Sequence, residues 1–136
     1  MKQKLVDEAI VYKNQGFRAL KMKVGMTIEK DVEHVQAVRK AIGNDMELMI
    51  DSNHAYSLKE AVELARRVED QNIGFFEEPI SPEFYGQYSE LRLRTSIPIA
   101  GGECEYLRHG FKTLLENKSV DIIQVQILQT FTISYF

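Results

Sequence analysis

Three acids punctuate this chain at one interval: Asp51, Glu77 and Glu103 are each 26 residues from the next, and each follows a short apolar run. Lys23 closes an earlier run of the same kind, 28 residues before Asp51. The stretches between these runs carry the helical period. Val32, Val35, Val38 and Ile42 share one face of a helix expected over 28–42. Ala61, Leu64, Ala65 and Val68 share another, opened by a capping box of Ser57 and Glu60. A first helix is expected over 3–13, with Leu5, Val6, Ala9, Ile10 and Lys13 at helical spacing and Gly16 ending it. Ser81-Pro82 reads as a further helix start, with Phe84, Tyr88 and Leu91 beyond it, and 107–117 as the last helix. The strands are expected at Phe17–Val24, Met46–Ile50, Ile73–Phe76, Ile97–Ala100 and Val120–Val125.

Strand and helix alternating at this spacing specify an α/β fold with parallel strands and right-handed crossovers. An open doubly wound sheet and a closed barrel both satisfy that pattern. The ionisable residues decide between them. Equivalent positions at successive strand ends converge at the mouth of a barrel, but in an open sheet they spread along a row of strands about 4.8 Å apart. The expectation is therefore a partial (β/α) barrel of the TIM type, with about five parallel strands in a single domain over 1–136. A complete barrel of this type takes about 250 residues, so the outer strands would be edges unless something covers them.

Composition narrows the function classes. A net charge of -3, with Lys and Arg scattered along the chain, offers no basic face for nucleic acid or for an anionic membrane. No run approaches the roughly 18 apolar residues of a membrane span. The start, MKQKLVDEAI, is too charged for a secretory signal. One cysteine, Cys104, allows no internal disulfide and fits a reducing, cytoplasmic setting.

Three carboxylates brought together would repel unless a cation lay between them. Asp51, Glu77 and Glu103 are all hard oxygen donors, which selects magnesium, with manganese as the alternative, over zinc or copper. The bland reading of any one of them is a solvated loop acid. "KMKVG" places Lys21 and Lys23 on the same face of a strand. Side by side they would depress each other's pKa and free one amine to act as a base; outward lysines on an edge strand are the alternative. Asn53 stands two residues after Asp51 and could orient a bound carboxylate. His54, the next residue, is a substrate contact or a simple loop histidine. Glu78 leaves the strand on the side opposite Glu77 and reads as one half of a structural ion pair.

With these residues in view, the sequence resembles the enolase superfamily, in its mandelate racemase and muconate lactonizing enzyme branch. "ALKMKVG", "DSNHAYS", "FFEEPISPE" and "IPIAGGECEY" occur in the family's order and spacing. The resemblance implies a barrel domain with Asp51, Glu77 and Glu103 as magnesium ligands. It implies Lys23 as the base that takes the proton alpha to a sugar-acid carboxylate, Lys21 as its helper, and Asn53 beside the metal. It also implies an N-terminal capping domain and two or three further strands, with a histidine–aspartate pair, that these residues do not include. The position of that aspartate reads Gln126 here.

Residues 122–136 carry no charge, and Phe131, Ile133 and Tyr135 alternate with Thr130, Thr132 and Ser134, the pattern of a half-exposed strand. Two functions are therefore carried forward. One is part of a magnesium-dependent dehydratase, isomerase or racemase acting on a sugar acid, expected as a homo-oligomer. The other is a non-catalytic metal-binding half-barrel, truncated or engineered, that self-associates through its altered last strand. Glu105, Tyr106, Arg108 and His109 follow Glu103 and are read as surface residues of the last helix, with contact to substrate as the alternative.

Overall fold

The computed structural model describes residues 2–126. The chain alternates helix and strand throughout: α1 (Lys2–Asn14), β1 (Ala19–Lys23), α2 (Ile28–Ile42), β2 (Glu47–Asp51), α3 (Leu58–Val68), β3 (Ile73–Glu77), α4 (Tyr85–Arg92), β4 (Ile99–Gly101), α5 (Leu107–Glu116) and β5 (Ile122–Ile123). The five strands form one parallel sheet in the order β1-β2-β3-β4-β5. Each strand pairs with its successor in sequence and no crossover skips a neighbour. That order is the wall of a barrel; a doubly wound sheet reverses its order at a switch point. The structure is a partial (β/α) barrel.

The helix faces read from periodicity are the faces that pack. Val32, Val35, Val38 and Ile42 of α2 are buried, as are Ala61, Leu64, Ala65 and Val68 of α3. They meet Leu48, Ile50, Ile73, Phe76 and Ile99 from the outer side of the sheet, and each fully buried Leu, Ile or Phe contributes about 1.5–3 kcal/mol. Thr27 caps α2, and Ser57 and Glu60 close the capping box of α3 in both directions. The α1 reading holds in extent but not in face. Only Ala9 is buried there, while Ile10 and Val11 are exposed; α1 packs chiefly against α2.

Several boundaries differ from expectation, and two of them change how an element is read. The segment from Ser81 to Phe84 is a turn, closed by Phe84 N–H to Ser81 C=O at 3.2 Å, and α4 begins only at Tyr85. The Ser81 hydroxyl donates to Glu83 Oε1 at 2.6 Å and caps no helix. β5 is two residues long, not six. The alternating tail from 127 onward lies outside the described residues, and Gln126 is the last residue within them.

Arg39 ties the outer loops together. Its buried guanidinium donates to the carbonyls of Gly43, Met46, Gln71 and Asn72 at 2.7–2.9 Å. At the other end of the strands, buried Asp31 accepts from Met26 N–H and from the Tyr56 hydroxyl, both at 2.8 Å, and so joins the loop after β1 to the loop after β2. Gly25 lies in that junction at φ +110, and a Cβ there would stand 2.7 Å from the Ala55 methyl.

Candidate active site

Lys23, Asp51 and Glu77 occupy one row across the sheet. Lys23 is the register partner of Asp51, and Asp51 is the register partner of Glu77. Parallel pairing keeps side chains in a row on the same face, so Lys21 and Lys23 reach over the same ground as the two acids. Lys21 Nζ lies 2.6 Å from Glu77 Oε2 and 3.2 Å from Asp51 Oδ2. Lys23 Nζ lies 2.5 Å from Asp51 Oδ2 and also donates to Asn53 Oδ1. Asn53 returns a backbone N–H to Asp51 Oδ1 at 3.1 Å.

The acids are buried and the ammonium groups are not. Asp51 and Glu77 are each 1% exposed, whereas the Lys21 and Lys23 side chains are 38% and 63% exposed. Burial works against the charged form of Asp51, but hydrogen bonds from Lys23, Lys21 and the Asn53 N–H outweigh it and hold the carboxyl below its usual range. Burial also disfavours the Lys21 ammonium, yet its bonds to Glu77 and Asp51 outweigh that and raise its pKa. This corrects the expectation that the two lysines depress each other, for Lys21. Each amine meets carboxylate oxygen before it meets the other amine, so the local field at Lys21 is negative.

Glu103 does not join the row. The register partner of Glu77 on β4 is Ala100, and β4 ends at Gly101, so Glu103 lies in the loop beyond the strand despite its equal interval in sequence. Its carboxylate acts on Glu78, whose pKa it raises by like-charge repulsion. Lys21 gathers the oxygens of Asp51 and Glu77, and Glu103 stands outside this register row.

Glu78, on the other side of the β3 end, stands 3.3 Å (Oε2) from His54 Nε2. The same Nε2 lies 3.7 Å from Cys104 Sγ. The backbone fixes this arrangement: Glu78 C=O accepts from His54 N–H at 2.8 Å and from the Ser52 hydroxyl at 2.9 Å. Burial, with Glu103 adding to it against the pull of His54, raises the Glu78 carboxyl. Burial and the nearby acids push the Cys104 thiol up to about 11. His54 thus turns toward a buried acid and a thiol, away from the Lys21–Lys23 row. Sequence reading missed this grouping, although a signal existed: Cys104 follows Glu78 by the same 26 residues that separate the three acids. It also placed Glu105 on the surface. Glu105 is 7% exposed and accepts from the Tyr85 hydroxyl at 2.9 Å, whereas Tyr106, Arg108 and His109 are exposed as expected.

The donor chemistry of the row suits a hard cation. Two buried carboxylates stand side by side with only ammonium groups to meet their charge, and a positive ion would serve the same place.

Known proteins resemble this chain over most of its length. The family model described as Enolase C-terminal domain-like matches residues 4–134. The arabinonate dehydratase of Saccharolobus solfataricus is 37% identical over 133 residues, covering 97% of this chain and 36% of that enzyme. The crystal structure of the 3,6-anhydro-D-galactonate cycloisomerase from Zobellia galactanivorans superposes with a TM-score of 0.93 at 58% identity, covering 95% of this chain and 37% of that one. A racemase from Streptomyces coelicolor, solved with bound magnesium, superposes with a TM-score of 0.86 at 28% identity, covering 90% and 37%. This chain spans little more than a third of the length of each. No helix among the described residues is long and apolar enough to cross a membrane.

Proposed function

The chain belongs to the Enolase C-terminal domain-like family, and from that premise we propose that it is the metal-binding part of an enzyme that removes the proton alpha to the carboxylate of a sugar acid. The observation that carries this reading is the row of Lys23, Asp51 and Glu77, with Lys21 bridging the two acids. The names of the relatives supply the substrate class: arabinonate and 3,6-anhydro-D-galactonate are sugar acids.

Asp51 and Glu77 would hold magnesium, with manganese as the substitute, and Glu103 would complete the set from the loop after β4. Bound there, the ion supplies positive charge against which a carboxylate and its developing negative charge are stabilised. The remaining work falls to the chain's own residues. Lys23, the more exposed amine, receives the alpha proton at Nζ. It can do so only when neutral. Lys21, held by Glu77, keeps its proton and faces the substrate carboxylate as a fixed cation. Asn53 positions Lys23 through Oδ1 and Asp51 through its N–H.

Calorimetric titration of the chain with magnesium, beside Asp51→Asn and Glu77→Gln, tests the metal assignment. Saturable binding lost in both variants supports it, and binding indifferent to both would overturn it. The proton transfer is tested in a protein carrying the rest of the barrel. Solvent-deuterium exchange at the alpha carbon is followed by NMR over a panel of aldonates, hexarates and their lactones. Exchange that survives Lys23→Ala would assign the base elsewhere.

A further inference from the structure

We propose that His54, Glu78 and Cys104 form a second cation site, one of mixed nitrogen, oxygen and sulfur donors that takes zinc-class ions. It lies on the far side of β3's end from the oxygen row. One donor atom from each of the three lies within 4.8 Å of the others, the sole set of this kind among the described residues. Each donor comes from a different strand-end loop, after β2, β3 and β4 in turn.

Distances and angles about His54 separate this reading from its rivals. A nucleophilic relay would place the thiol at one ring nitrogen and the carboxylate at the other. Here both approach Nε2, at 3.7 and 3.3 Å, and Nδ1 is buried with no hydrogen-bond partner. Two groups converging on one lone pair describe the corners of a coordination sphere. At zinc bond lengths, tetrahedral ligation puts nitrogen and oxygen roughly 3.4 Å apart and nitrogen and sulfur roughly 3.6 Å apart. The observed spacings match both.

The second observation is Glu78 itself. It is 1% exposed, and neither carboxylate oxygen accepts a hydrogen bond. A buried carboxylate left in that state is costly, and Glu103 adds like charge nearby. A dication offsets both. Coordination also turns the thiol into thiolate, so the donor set becomes one imidazole, one carboxylate and one thiolate, with a fourth position open. Soft sulfur and imidazole nitrogen favour zinc and cobalt and disfavour magnesium. The inference does not depend on the oxygen row holding magnesium, since none of its three donors belongs to the Lys23–Asp51–Glu77 row.

Cobalt is the probe. The full chain is freed of metal with a chelator and titrated with Co2+ while thiolate-to-cobalt charge-transfer absorption is recorded in the near ultraviolet. The band is expected to grow to saturation at one equivalent, to vanish on adding zinc and to survive a large excess of magnesium. His54→Ala and Glu78→Gln are each expected to weaken cobalt binding by at least about tenfold, and Asp51→Asn to leave it unchanged. Circular dichroism verifies the fold of each variant, and half-exposed His54 supplies the informative change should Glu78→Gln not fold. Absence of the band overturns the site. So does binding that neither His54→Ala nor Glu78→Gln weakens, which would mark adventitious capture by a lone thiol. Loss of binding in Asp51→Asn would also overturn it, by assigning the ion to the oxygen row.

Discussion

Asp51 and Glu77 are register partners across β2 and β3, and the Lys21 ammonium touches both carboxylates, at 3.2 and 2.6 Å. Two buried acids at adjacent strand ends would repel strongly without that bridge. Lys21 is therefore part of what permits the pair to exist, as well as a candidate participant in chemistry.

Lys21→Met is expected to lower stability by about 1–2 kcal/mol at neutral pH, a figure reduced from that of a fully buried pair because the lysine is partly exposed. Magnesium should raise the Tm of this variant more than that of the unaltered chain, since one of the two amines that compete for the acids is then gone. Thermal melts with and without magnesium measure both effects. An equal rise in the two proteins would mean that lysine and cation do not share the acids.

Arg39 answers four carbonyls from two loops. Arg39→Ala strands them in a buried setting and is expected to cost about 3 kcal/mol in urea denaturation. Arg39→Lys should recover little of this, because one ammonium cannot reproduce the guanidinium's fork.

The acid limb of stability offers a separate check at Asp121. Burial opposes its ionisation, but Arg92, at 2.5 Å, and the Ile99 N–H, at 2.9 Å, outweigh that and lower its pKa. A carboxyl lowered on folding contributes stability above its unfolded value, about 3.9. That contribution is lost as pH falls through the lower folded value. Asp121→Asn should therefore cost stability at neutral pH and flatten the decline below about pH 4. Denaturation midpoints across pH 2–6 would read it, and an unchanged slope would exclude Asp121 from the acid limb.

Tyr56→Phe removes one of the two donors to buried Asp31. The expected loss is about 1–2 kcal/mol, with faster amide exchange at Met26, whose N–H shares the same carboxylate. Exchange at Met26 equal to that of the unaltered chain would show that the loop after β1 is held by other contacts.

Much of this was legible in the sequence for a physical reason. The buried faces of α2 and α3 follow from a period of 3.6 residues, and the row of Lys23, Asp51 and Glu77 follows from strands of nearly equal length in successive units. Glu103 keeps the interval without joining the row, because an interval in sequence is not a register. β4 is only three residues long, and Gly102, at φ +120, carries the chain past the row before the acid arrives. The start of α4 failed for a different cause. Ser81 and Pro82 form a cap signal and a turn signal alike, and the Glu83 carboxylate takes the Ser81 hydroxyl for the turn. The His54–Glu78–Cys104 grouping eluded periodicity altogether, since it is built from loop residues at positive φ or in turns, where no repeat governs direction.

Because β1 to β5 pair only in order of synthesis, the sheet can grow by accretion, each unit templated by the one before it. The oxygen row spans β1 to β3, so a nascent chain would own that row once its first three strands had docked. The sulfur-bearing loop arrives one unit later. Ion capture could then report how far assembly has advanced: hard cations first, soft ones after.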